Sequence, residues 1–238
     1  MNATIARLSW RSVVGQRRGV LLLLLPALLV LLSAVTVALA DGSLGIEPVT
    51  MVFGFSLVLP LVALLVTNGV LGPEIEDGSI VYLLSKPISR YTIVVSKVAV
   101  ALALTLTLGA GSVFVSALIL EVDEPAQAFA IGVGAVCASF AYCGLFVALA
   151  TLTKHGTIAG LIYVIIFEGA LASWLDGLRY ISTGFFGRRV VAALDESIVL
   201  VSRDMSLVYA VCAIVVVSVG GVFLAGWRMR SFELLGED

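Results

Sequence analysis

Charge is scarce in this chain. Asp, Glu, Lys and Arg together make 13% of 238 residues, against ~25% in an average soluble domain. There is one histidine, His155, and there are three cysteines, Cys137, Cys143 and Cys212, each inside an apolar run. Too few charges exclude a soluble globular enzyme, a disordered chain and a nucleic-acid binder with a basic face. A lone histidine and scattered cysteines give neither a metal site nor a disulfide framework by spacing. A phosphate-binding loop, Gly-x-x-x-x-Gly-Lys-Ser/Thr, is also missing; the chain has not even a Gly-Lys pair. No catalytic constellation stands out: His155 lies beside Lys154 at a short turn, and Ser112 follows a run of small residues that suits helix packing.

What the chain has instead is apolar length. Apolar residues make 61% of it, and the mean hydropathy is +1.14. Six continuous runs approach the ~20 residues that a membrane-spanning helix needs: 20–40, 50–71, 93–120, 126–152, 157–176 and 207–227. They are continuous rather than alternating, which excludes a membrane β-barrel. The expected fold is an all-α integral membrane protein, a single domain over 1–238 with six transmembrane helices. The first run is longer than the ~7–15 apolar residues of a signal peptide, so it is expected to stay as a span.

Ten of the fourteen basic residues fall at one side of this layout, among them Arg7, Arg11, Arg17, Arg18, Lys86, Arg90, Lys154 and Arg228. The segments 41–49 and 121–125 on the other side hold five acids and no base. The positive-inside rule then puts both termini in the cytoplasm. Residues 2–19 read as an interfacial helix in which Arg7, Arg11 and Arg18 share one arc and Trp10 flanks it, a pattern suited to the headgroup layer. The segment 177–206 carries Arg179, Arg188, Arg189 and Arg203 between apolar stretches too short to span. It reads as an amphipathic loop resting on the headgroups.

Residues 72–90, GPEIEDGSIVYLLSKPISR, hold a helix expected over 73–86. Pro73 suits a first helical position, Glu74, Glu76 and Asp77 suit the positive end of the dipole, and Pro87 stops the helix. Inside the spans, Glu168 is the exceptional residue. A carboxyl group in hydrocarbon must face protein or water, so it either lines a pathway or bridges helices. Asn68 is a candidate polar partner for it, and both are candidate pathway residues. Pro26 and Pro60 are expected to kink spans one and two.

The pattern of Glu74, Gly78-Ser79, Leu83-Leu84, Pro87, Ser89-Arg90 and Lys97 resembles the cytoplasmic segment of ABC-2 type transporter permeases. The wider layout also looks like that family: an N-terminal interfacial helix, six spans, and a long segment between spans five and six, for which the resemblance implies short re-entrant helices over 177–206 that dip back into the outer leaflet. The resemblance implies that 73–86 is a coupling helix that docks a separate ABC ATPase subunit, with Glu74, Gly78, Ser79, Leu83, Pro87 and Arg90 at or beside the docking surface. It further implies a second permease copy or a paralogue as partner, with ATP and magnesium held by the ATPase and no cofactor in this chain. An amphiphilic substrate (a lipid, peptide or drug) exported across a prokaryotic plasma membrane would follow. The alternatives are an ion-coupled secondary transporter built on Glu168 and a non-transporting membrane scaffold.

Overall fold

Lipid offers no hydrogen bonds, so each apolar run must satisfy its own backbone, and each becomes a helix. The computed structural model describes residues 18–40, 47–76, 90–121, 124–153, 155–171, 180–195 and 205–231. Among them there is no strand. Helix α1 is Arg18–Ala40 and stays helical through Pro26. Helix α2 (47–76) starts with a π-helical part, Glu47–Val58, and continues as α-helix over Leu59–Glu76. Helix α3 (90–120) is α-helical over Arg90–Leu104 and Gly111–Leu120, with a π-helical stretch Thr105–Ala110 between. Helix α4 is Pro125–Leu152, with its proline in the first turn. Helix α5 (156–171) is α-helical over Gly156–Tyr163 and π-helical over Val164–Leu171. A short helix α6, Thr183–Leu194, precedes α7, Leu207–Ser231.

Five of these helices, α1, α2, α3, α4 and α7, are long and apolar enough to cross a membrane. The expected fifth span at 157–176 is represented by a shorter apolar stretch, Gly156–Gly169. A further difference from the sequence reading concerns Pro73. The helix expected to begin at Pro73 does not begin there, because 73–76 continue α2 without a break. A membrane helix tolerates such a proline when neighbours re-satisfy the freed backbone groups. Three residues before it, Lys97 Nζ on α3 donates to the carbonyl of Val70 at 2.8 Å. Pro60 stands at the second residue of the α-helical part of α2, where the π-helical part has just ended. Its missing N–H therefore falls at a change of hydrogen-bond register. The expected interfacial helix at 2–19, with Arg7, Trp10 and Arg11, lies outside the described residues except for its last two positions; Arg18 opens α1.

Helix α4 is the centre. Helices α2, α3, α5, α6 and α7 all pack on it, while α1 packs on the last part of α3 and on α2. In both α2 and α4, 67% of the apolar span is buried, against 22% in α1 and 17% in α7. The outer faces of α1 and α7 present Leu23, Leu31, Val208, Val216 and Phe223. Such faces suit hydrocarbon, because lipid tails are as apolar as leucine. For the same reason apolar side chains gain little by leaving lipid for protein. Helix association rests on close packing and polar contacts.

Small residues provide the close packing. Gly134, Ala138, Ala141 and Gly144 recur along α4. A Cβ added to Gly134 would stand 2.7 Å from the Gly187 carbonyl of α6, and one added to Gly144 would stand 2.5 Å from the Ser218 Cα of α7. Gly221 of α7 is tighter still, with a Cβ position 2.0 Å from the Gly144 carbonyl. A hydroxyl pair, Ser33 and Ser116, joins α1 to α3. Gly221→Ala should therefore force α4 and α7 apart, at a cost of about 1–3 kcal/mol or more. At Gly220, one residue away, an added Cβ meets nothing within 4 Å. Gly220→Ala should be neutral or stabilising by up to about 1 kcal/mol through helix propensity. Thermal unfolding of the two variants in detergent checks the contrast; equal melting temperatures would contradict the packing.

Candidate functional site

The bundle has two ends. The distal end carries Glu47 and Leu120, and the proximal end carries Glu76 and Arg90. Glu168 lies in the distal half, in the π-helical part of α5, and is 3% exposed. Its carboxylate is fully engaged. Ser182 Oγ donates to Oε2 at 2.8 Å. Thr183 Oγ1 and the backbone N–H of Gly184 each donate to Oε1 at 3.1 Å, and the Tyr163 hydroxyl donates to Oε1 at 3.3 Å.

Three of these donors sit at the start of α6. A helix begins with N–H groups that have no intrahelical partner, and the aligned peptide dipoles make that end positive. Ser182 is the N-cap residue, yet its hydroxyl makes no capping bond to its own helix. It turns to Glu168 instead. The orphan N–H of Gly184 is served by the carboxylate, and that of Thr183 by the Tyr163 hydroxyl at 3.3 Å. Thus α5 caps α6 from outside. Gly184 is needed for the approach: an added Cβ would stand 2.5 Å from Glu168 Oε2 and 2.7 Å from the Tyr142 hydroxyl.

Other helices close the cluster. Tyr142 of α4 donates its hydroxyl to the Phe55 carbonyl of α2 at 3.3 Å. Stacked and edge-on rings run Tyr142–Phe146–Tyr163–Phe167 at centroid separations of 5.9, 6.2 and 5.3 Å, which holds the Tyr163 hydroxyl in place. Arg188 of α6 is buried; it bonds to Ser56 of α2 and lies 4.8 Å over the Phe185 ring. Burial pushes the Arg188 guanidinium below its ordinary pKa, and the Glu168 carboxylate opposes that shift. Nine of the twelve residues of α6 are buried, so this helix is built into the bundle.

This arrangement can hold a charge and fix a helix. Among the described residues no group of three or more His, Cys, Asp or Glu could bind a metal ion. Asn68, expected as a partner of Glu168, is not one. It sits toward the proximal end, buried, with Oδ1 against Gly156 and Nδ2 without a hydrogen-bond partner. Glu74 lies in the last turn of α2 and Arg90 opens α3. Gly78, Ser79, Leu83 and Pro87 lie outside the described residues. Sequence reasoning missed Tyr142, Tyr163, Ser182 and Thr183 as members of the cluster. The Ser182-Thr183-Gly184 run was a legible helix start, but nothing in the sequence pairs it with Glu168.

Five helices long and apolar enough to cross a membrane, packed around a buried polar cluster, define a polytopic membrane protein. Residues 3–171 match the ABC-2 family transporter protein family, well over half of the chain, and the chain belongs to that family. It is a multi-pass membrane protein of the ABC transporter permease type. No curated protein is similar enough to this chain to count as a relative.

Glu168→Ala would leave the hydroxyl and N–H donors of α6 buried and unserved. A loss of about 3 kcal/mol is expected, or roughly 6–12 °C in melting temperature for a chain of this size. Glu168→Gln keeps one acceptor oxygen and should lose less than half as much. Thermal unfolding in detergent at constant lipid content measures both; an unchanged melting temperature for Glu168→Ala would contradict the cluster.

Proposed function

We propose that this chain is the transmembrane subunit of an ATP-driven transporter, working with a separate ABC ATPase. The observation that carries the reading is membership of the ABC-2 family over residues 3–171. The absence of any Gly-Lys pair from the sequence supports it, since ATP must then be bound elsewhere. The ATPase docks on 73–86, with Glu74, Gly78, Ser79 and Leu83 at the contact and Pro87 and Arg90 shaping the entry to the third span. Glu74 lies at the end of α2, and Lys97 ties α3 to α2 just before it. A push on the docking segment would therefore reach two spans at once. Two permease copies, or this chain and a paralogue, form the pathway in a prokaryotic plasma membrane with both termini cytoplasmic. The substrate is amphiphilic and moves outward. The scarcity of charge in the spans supports that class, because an ionic substrate would need buried counter-charges. Glu168 and Asn68 are the polar groups available to a pathway; of the two, Asn68 has a donor to spare.

Purification from native membranes in mild detergent, followed by mass spectrometry, should recover a P-loop ATPase in near-equal amount. Glu74→Lys should abolish that association while the permease keeps its melting temperature. Undiminished recovery of the ATPase with Glu74→Lys would overturn the docking assignment, and no ATPase with the unaltered chain would overturn the reading.

A further inference from the structure

At the proximal end of the bundle α4 stops at Leu152, and α5 starts at Gly156. The first backbone bond of α5 runs from the Ala159 N–H to the His155 carbonyl at 3.1 Å. The N–H groups of Gly156, Thr157 and Ile158 therefore lie ahead of the helix's own bonding, at its positive end. His155 is the N-cap residue, and its side chain makes no capping bond. At α6 the carboxylate of Glu168 serves such a group. At α5 the neighbouring side chain is a carboxamide. Asn68 of α2 is 6% exposed, and its Oδ1 lies 3.0 Å from the position of a Cβ added to Gly156. Its buried Nδ2 has no hydrogen-bond partner. The carboxamide torsion is roughly two-fold, so a half turn brings Nδ2 to the start of α5. An acceptor placed there would serve the helix N–H groups and Nδ2 together, and a buried donor left unserved is costly.

The geometry points to a binding site for an anionic phosphate group, held by the start of α5 and Asn68 and carried by a phospholipid of the phosphatidylglycerol type. Charge argues for the anion. Lys154 and His155 directly precede the helix. Lys97 holds its ammonium 2.8 Å from the Val70 carbonyl, two residues past Asn68. The acids that follow on α2, Glu74 and Glu76, are about 9 and 12 Å further along the axis, beyond the ~8 Å over which exposed charges act at physiological salt. Depth argues for lipid. Helix α4 has 28 residues, or about 42 Å against the ~30 Å of hydrocarbon. Its end and the start of α5 therefore stand at headgroup level. His155 is exposed and Thr157 half-buried, so the turn is open to that layer. Below it Ile158, Ile162 and Ile165 are exposed along α5, a stripe on which an acyl chain can lie. The inference draws on Asn68, which the reading above leaves available to a pathway. It needs no ATPase, so loss of the ATPase and loss of phosphate binding are separate results.

The test uses the full chain in nanodiscs of equal parts phosphatidylglycerol and phosphatidylcholine with the same acyl chains. After mild detergent release, native mass spectrometry counts the lipids that stay bound. The expected result is about one phosphatidylglycerol per chain, retained ahead of phosphatidylcholine. Asn68→Leu removes the donor and should lower that retention about tenfold, the worth of one hydrogen bond to a charged group. Asn68→Asp adds a repelling charge and should lower it further. Because Nδ2 has no partner in the protein, Asn68→Leu should leave the melting temperature of the delipidated chain unchanged or raised. A second arm adds millimolar inorganic phosphate to the delipidated chain. Stabilisation there that Asn68→Asp abolishes, without a preference for phosphatidylglycerol, would keep the phosphate site and overturn its lipid source. Retention and phosphate response unchanged in both variants would overturn the site. So would a lower melting temperature for Asn68→Leu with retention unchanged, because Asn68 would then only cap α5.

Discussion

One carboxylate organises the distal half of this protein. Glu168 is buried in a short apolar helix of the bundle, where an unserved charge would cost several kcal/mol. It is stable there because the N-terminus of α6 brings it hydroxyl and N–H donors and a positive dipole end. The dependence is mutual. Helix α6 has twelve residues and no capping bond from its own N-cap side chain. In isolation such a helix would be marginal. Seated on Glu168, it carries Arg188 to Ser56 of α2 and lays Gly187 against Ala138 of α4. Four helices thus meet around one acid.

The proximal half obeys the same rule with the opposite sign. Lys97 is 1% exposed, and its ammonium reaches the Val70 carbonyl one turn before Pro73. A cation buried in a membrane bundle must be served by protein groups, and a backbone carbonyl is one of them. So α2, α3, α5 and α6 are tied by charge at the ends of the bundle, while α4 and α7 are joined between them by glycine contacts. Helices α1 and α7, at the periphery, have the largest exposed shares.

Much of this was legible in the sequence, and the reason is the solvent. A bilayer leaves helices as the open-ended solution for a long apolar run, so five of the expected spans follow from run length alone. Glu168 was legible as exceptional because charge in such a run is rare. Its partners were not. Tyr142, Tyr163 and Ser182 are common residues in apolar or mixed surroundings, and their meeting depends on how α4, α5 and α6 cross. The π-helical stretches were illegible for a related reason: a shift from i→i+4 to i→i+5 bonding leaves composition unchanged. Pro73 misled because a proline after a glycine usually starts a helix. Here α2 runs on through Pro73 to Glu76.

The claim on which the account rests is the bond between Glu168 and the start of α6, and a double-mutant cycle measures it most directly. Unfolding free energies of the unaltered chain, Glu168→Gln, Ser182→Ala and the double variant, taken in one detergent, isolate the pairwise energy. The account predicts a coupling of about 0.5–3 kcal/mol, the range for residues in direct contact. Strict additivity of the two single changes would contradict it and remove the anchor from α6.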